Sequence, residues 1–225
     1  MFSQKRADTT PTIELPHLPQ VVPPSGVFDG NDGKWSTFDI NVGDSSGNGN
    51  GQNFRVLVST SSPLTLVPAK ADWCNTECAP KRGIEIFNSR QSPGFDSTAS
   101  TSWKELGTYE IPVLNWWSGS KPNGTWGLEN VGLGQTDPLK SPILQEQMVV
   151  KYTAKELFMG SFGLAAGAVR VGSGPRMPFL PNFAYYNQTP STSYGYTAGA
   201  FYREFLHFSH LRTSLVPRVD VYELR

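Results

Sequence analysis

No apolar run in the chain approaches the roughly 20 residues that a membrane-spanning helix needs, so no transmembrane segment is expected. An excess of one charge is missing too. Lys+Arg and Asp+Glu each number 19 among 225 residues, for a formal net charge of zero. No basic field is there to attract nucleic acid, and that class of partner is excluded. Histidine is scarce: His17, His207 and His210 are the full set, and none sits in a recognisable triad motif. Cysteine is limited to Cys74 and Cys78. This C-x3-C spacing fits a small disulfide loop, half a metal site or two free thiols. No second Cys/His pair lies at metal-finger spacing, so neither a metal nor any other cofactor is expected. A disulfide implies an oxidising compartment. Against it, the stretch from Met1 to Pro24 is polar and Pro-rich. Lys5 and Arg6 have no apolar segment behind them, so it does not read as a secretory signal.

Turn formers and aromatics are abundant instead. Gly (22) and Pro (18) together approach a fifth of the chain, against roughly 12% in ordinary proteins. Such punctuation favours many short strands over long helices. Six Trp and eight Tyr suit half-buried β surfaces. The fold class expected is all-β, with one or two short helices.

Along the chain, residues 1–30 read as an extended arm, because Pro11, Pro16, Pro19, Pro23 and Pro24 cannot join a central strand. Residues 31–203 form the folded unit, and 204–225 a divergent tail. Trp35–Val42 alternates apolar and polar residues. After a Gly/Ser/Asn loop, Asn53–Thr60 does the same, so the pair predicts a β-hairpin. Ser61-Ser62-Pro63 breaks the chain sharply before a third strand, Leu64–Val67. Weaker strands are expected near Ile84–Phe87, Thr108–Leu114, Leu128–Leu133 and Ile143–Lys151. Thr153–Phe158 has the capping pattern of a short helix, with Thr153 as cap and Glu156 three residues on. Residues 163–182, rich in Gly and Pro, read as an irregular surface segment.

The order of these features resembles the N-terminal lobe of pepsin-like aspartic proteases, half of a bilobal fold. The run Trp35–Gly43, Phe54–Val58, Ser59-Thr60-Ser61-Ser62 and Leu66-Val67-Pro68 is similar to that family's opening. There, a strand ends in Asp-Thr-Gly or Asp-Ser-Gly and a short apolar strand follows. Asp29-Gly30-Asn31-Asp32-Gly33 resembles a feature of divergent filamentous-fungal members. Ile86-Phe87-Asn88 with Ser97-Thr98 and Ser100–Trp103 resembles a further stretch of the lobe. So do Asn123–Gly127, Val131–Gly134, Phe162-Gly163-Leu164 and Tyr194–Ala200. The resemblance implies that Cys74 and Cys78 pair in a small disulfide loop. It also implies that Trp117, Ser118 and Gly119 lie in the flap over the cleft.

The departure from the family is chemical. Two facing carboxylates share one proton there: one activates water while the other, protonated, supports the substrate carbonyl. Here Ser59, Thr60 and Ser61 occupy the Asp-Thr-Gly position, and a neutral serine hydroxyl can neither take that proton nor complete the pair. Asp44-Ser45-Ser46-Gly47 sits in the turn before the second strand. Asp96-Ser97-Thr98 lacks both the preceding apolar strand and the Gly, so neither replaces the aspartate. No second Asp-Thr/Ser-Gly follows.

The expected function is therefore a catalytically inactive homologue of aspartic endopeptidases that retains peptide or protein binding. A partner chain would cover the inter-lobe face. Two alternatives stand beside it. One is a secreted or cell-wall β-domain that binds carbohydrate or protein through Trp-rich loops around Trp116, Trp117 and Trp126. The other is an acid endopeptidase with an unconventional or partner-supplied acid. Asn123-Gly124-Thr125 and Asn187-Gln188-Thr189 match the N-glycosylation acceptor pattern in loop-like segments. With the family resemblance, they imply a secreted or cell-surface location.

Overall fold

A computed structural model describes residues 19–43, 51–112, 121–134, 142–171 and 174–196. Strands dominate them. The strands are β1 (Pro24–Asp29), β2 (Trp35–Val42), β3 (Gln52–Ser59), β4 (Thr65–Pro68), β5 (Ile86–Phe87) and β6 (Arg90–Gln91). They continue with β7 (Lys104–Glu110), β8 (Asn123–Leu133), β9 (Ile143–Tyr152), β10 (Ser161–Gly163), β11 (Val169–Val171) and β12 (Gly174–Arg176). Among the described residues the α-helix α1 spans Phe179–Tyr185, and a 3-10 turn covers Ala79–Arg82.

Eight strands form the main sheet in the order β1-β2-β3-β10-β4-β9-β8-β7, and β2 also pairs with β8. That extra pairing, Ile40↔Leu133 to Val42↔Val131, closes β2, β3, β10, β4, β9 and β8 on themselves. Closure pairs both sides of these six strands, and β1 and β7 remain as the edge strands. It requires two strands to share partners along their length. The edge of β2 that meets β8 from Ile40 onward meets β1 earlier, at Trp35 and Ser36. A register shift in β8 between Glu129 and Val131 separates its β7-facing part from its β2-facing part. Asn130 sits at that bulge, where its carbonyl accepts a 3.0 Å bond from the Gly43 amide.

Alternation decides what is inside. Phe54 and Val56 of β3, with Ile40 and Val42 of β2, point into one core with Val67, Val131, Val149 and Phe162. The opposite face of β4, β8 and β9 carries a second core of Leu64, Leu66, Trp126, Leu128, Met148 and Val150. β4 is consequently buried on both faces and lacks alternation, as a covered central strand should. Its neighbour β10 is only three residues long. β10 runs parallel to β3 and antiparallel to β4, wedged between two strands that are consecutive in sequence. Glycine makes this wedge sterically possible. A Cβ on Gly163 would lie 2.5 Å from the Ser62 carbonyl oxygen, and one on Gly160 would lie 2.8 Å from that of Leu66.

Three expectations need correction. Thr153–Phe158 holds only a turn at Lys155-Glu156, not a helix. Only eight residues link β9 to β10, and the carbonyls of Thr153 and Phe158 are engaged elsewhere. Thr153 accepts the Trp73 indole at 2.8 Å, and Phe158 accepts Arg82 Nε at 3.1 Å. Residues 163–182 are not simply irregular. They contain the end of β10, the β11–β12 hairpin and the start of α1, whose Phe179 and Phe183 are buried in the first core. Pro181 falls in the first turn of α1, where its missing N–H costs nothing. Finally, Pro24–Asp29 of the expected arm is an edge strand against β2. Pro24 is its first residue, a position proline tolerates.

Candidate functional site

The sharp break between β3 and β4 is the candidate site. Ser59 ends β3, half-buried; Thr60 and Ser61 are exposed; Ser62 is buried. The backbone is held from both sides. The Leu164 amide donates to the Ser59 carbonyl at 2.8 Å, and the Ala165 amide to that of Ser62 at 3.2 Å. Within the turn, Ser59 Oγ accepts the Ser62 amide at 3.2 Å and lies 3.4 Å from Ser61 Oγ. Ser62 Oγ accepts the Leu64 amide at 3.2 Å. These hydroxyls therefore serve the turn's own backbone. None of the hydrogen bonds of Ser59 runs to a carboxylate or an imidazole among the described residues. Two segments singled out separately in the sequence, Ser59–Ser62 and Phe162-Gly163-Leu164, thus meet here. Gly163 pairs with Ser59 directly.

The second component is the β7–β8 hairpin, paired from Lys104↔Leu128 to Glu110↔Asn123. Its stem is braced by aromatics: Trp126 donates its indole N–H to the Tyr109 carbonyl at 3.3 Å, and the two rings meet edge to face at 6.3 Å. Trp126 is 4% exposed and belongs to the second core. It is therefore unavailable as a sugar-stacking platform. Trp116, Trp117, Ser118 and Gly119 lie outside the described residues, as do Asp44–Gly47, His17, His207 and His210.

The other candidates find structural partners. Cys74 and Cys78 form a disulfide. Asp96 closes a local turn in which its carboxylate accepts the Thr98 amide at 2.9 Å and the Thr98 hydroxyl at 2.6 Å. The hydroxyl bond, chiefly, holds this carboxyl below its ordinary value. Among the described residues no three potential metal ligands cluster. Asn123 is the first residue of β8 rather than a loop residue, and Asn187 occupies the turn after α1; both are exposed.

Two cations, the half-buried Arg55 and the buried Arg82, escaped sequence reasoning. Arg55 of β3 reaches Asp29 of β1 through two bonds, at 2.8 and 3.0 Å, and also pairs with Glu85. Asp29 additionally accepts the Thr37 hydroxyl at 3.0 Å. Burial opposes the charge on Arg55, but the bonds and charges of Asp29 and Glu85 outweigh it and hold the group above its ordinary value. Beside this cluster is a shallow hollow of about 500 Å3, lined by Val27, Gly30, Lys34, Arg55, Pro80 and Lys81 among others. Ser59 does not line it. Arg82 is wholly buried; its guanidinium lies 4.6 Å over the Trp73 ring and 5.9 Å from the centre of the Tyr152 ring. Burial pulls Arg82 below its ordinary value and pushes the Tyr152 phenol above its own. Only the alternation of β3, which turns Arg55 away from Phe54 and Val56, hinted at either cation.

No protein-family model matches the chain, and no curated protein matches it.

Proposed function

We propose that the chain is a pepsin-like aspartic protease N-terminal lobe in which Ser59 stands at the catalytic aspartate position. It is thus a non-proteolytic homologue that binds peptide or protein. The observation that carries this reading is the wedge of β10 between β3 and β4. It brings Ser59 and Gly163, landmarks recognised separately in the sequence, into direct register. The β7–β8 hairpin supplies the stem on which the segment from Trp117 to Gly119 would act as a flap.

The chemistry follows from the site's inventory. Peptide hydrolysis by this family needs a base for water and an acid for the carbonyl, supplied by two coupled carboxylates. Ser59 offers a hydroxyl, and that hydroxyl accepts a backbone amide. Loss of a general base alone costs about 100- to 10,000-fold, and Ser59 removes one half of the coupled pair. Extended-peptide recognition, by contrast, uses backbone hydrogen bonds and apolar pockets that require no acid.

The test is an acid digestion assay on the purified chain with a pepsin-type transition-state inhibitor. We expect no inhibitor-sensitive cleavage. Cleavage that the inhibitor abolishes would overturn the assignment of Ser59.

A further inference from the structure

We infer that Asn187, directly after the exposed Tyr185–Tyr186 pair, is an N-glycan acceptor. The acceptor tripeptide Asn187-Gln188-Thr189 occurs directly after α1, and the local structure presents the asparagine outward. The Asn187 amide donates to the Ala184 carbonyl at 3.0 Å and the Gln188 amide to that of Phe183 at 2.9 Å. This pair of bonds closes the helix by the Schellman pattern. The pattern needs a left-handed residue at the position Asn187 occupies, and its φ is 55°. Asparagine is the side-chain-bearing residue best suited to that conformation. The backbone of Asn187 is thereby spent on the helix end, while its side chain is exposed.

The surroundings supply a second, independent observation. Tyr185 and Tyr186, the two residues before Asn187, are 72% and 56% exposed, and their rings meet edge to face at 5.3 Å. Both rings stay on the surface, whereas Phe179 and Phe183 of the preceding turns are buried. The same geometry is absent at Asn123. There the strand pairs with Glu110, and the next residue, Gly124, packs against Val150 and Ile111. The Cys74–Cys78 disulfide fits the oxidising compartment in which such transfer takes place.

The transfer is a substitution at the sugar. The Asn187 amide nitrogen forms a bond to C1 of the first sugar of a lipid-pyrophosphate-linked oligosaccharide. The bond from C1 to the pyrophosphate breaks, and the lipid pyrophosphate leaves with the bonding pair. The amide proton passes to a base of the transferase. No oxidant or reductant enters.

The experiment directs the full chain into the secretory pathway of a eukaryotic cell with an added leader. Electrophoretic mobility is read before and after amide-cleaving glycosidase treatment. Release by that enzyme converts the carrier asparagine to aspartate, which peptide mass spectrometry then locates. We expect a glycosidase-sensitive shift, aspartate at position 187, and loss of that shift in both Asn187→Gln and Thr189→Ala. The second variant keeps the left-handed asparagine and so separates acceptor loss from a folding defect. A chain without any shift, or one whose shift survives Thr189→Ala, would overturn the inference.

Discussion

Gly163→Ala adds one methyl group where β10 passes between β3 and β4. The new Cβ would meet the Ser62 carbonyl oxygen at 2.5 Å, the Pro63 carbonyl carbon at 2.5 Å and the Leu64 nitrogen at 2.6 Å. Each is about 1 Å inside a comfortable contact. All three atoms are backbone, so no side chain can rotate away. Relief requires β10 to move off the Ser62–Leu64 segment, which strains the bonds from Leu164 to Ser59 and from Ala165 to Ser62. Two such bonds are worth about 1 kcal/mol each, and overpacking adds about 1–3 kcal/mol. We therefore expect a loss of about 3–5 kcal/mol, which in a domain of this size lowers Tm by about 6–20 °C. Gly167→Ala is the control. It has no neighbour within 4 Å of the added Cβ and no left-handed φ. Its substitution should be neutral or stabilise by up to about 1 kcal/mol. Thermal melting followed by near-ultraviolet circular dichroism distinguishes the two. If Gly163→Ala melts within a degree of the parent, β10 is not wedged as described, and the support for the Ser59 assignment goes with it.

Asp29→Ala leaves the half-buried guanidinium of Arg55 with Glu85 and the Pro80 carbonyl as its remaining partners. We expect a loss of about 1.5–3 kcal/mol, read as a shift of the urea midpoint at unchanged slope. Reducing the Cys74–Cys78 loop should lower stability by about 2 kcal/mol, since few residues are closed by it; melts with and without reductant measure this. The Asp96 carboxyl lies below its ordinary value, chiefly through the Thr98 hydroxyl. Its stabilising contribution is therefore present above the unfolded-state value and lost as pH falls through the folded one. Carbon-13 NMR titration should find Asp96 depressed in the parent and nearer its ordinary value in Thr98→Val. An unchanged midpoint would refute the role of that hydroxyl.

Local chemistry explains why much of the sheet was legible. The alternation in Trp35–Val42 and Asn53–Thr60 reports a face buried within each strand, and the structure pairs the two strands as Phe38↔Val56 to Val42↔Gln52. The run Ile143–Lys151 emerged as β9 with one more residue. Thr108–Leu114 misplaced β7, which starts at Lys104 and ends at Glu110. Its residues are exposed or half-buried, so no alternation marked its bounds. α1 was hidden because Pro178 and Pro181 flank and enter its first turn, although Phe179 and Phe183 carry the four-residue spacing of one helical face.

At the site, Ser59–Ser62 could be read as a break between strands, and the absence of an aspartate there is a property of the sequence alone. The spacing of Cys74 and Cys78 likewise left pairing open, and a Cα separation of 5.3 Å with a formed bond closed the question. What the sequence by itself determined is therefore whatever depends on neighbours along the chain: strand alternation, turn positions and the chemical groups on offer at Ser59. Tertiary structure alone decided the insertion of β10 between β3 and β4, the closure of β2 on β8, and the burial of Arg82 and Trp126. Each of these depends on which distant segments meet, and a periodicity of two fixes a strand's faces without naming its neighbours.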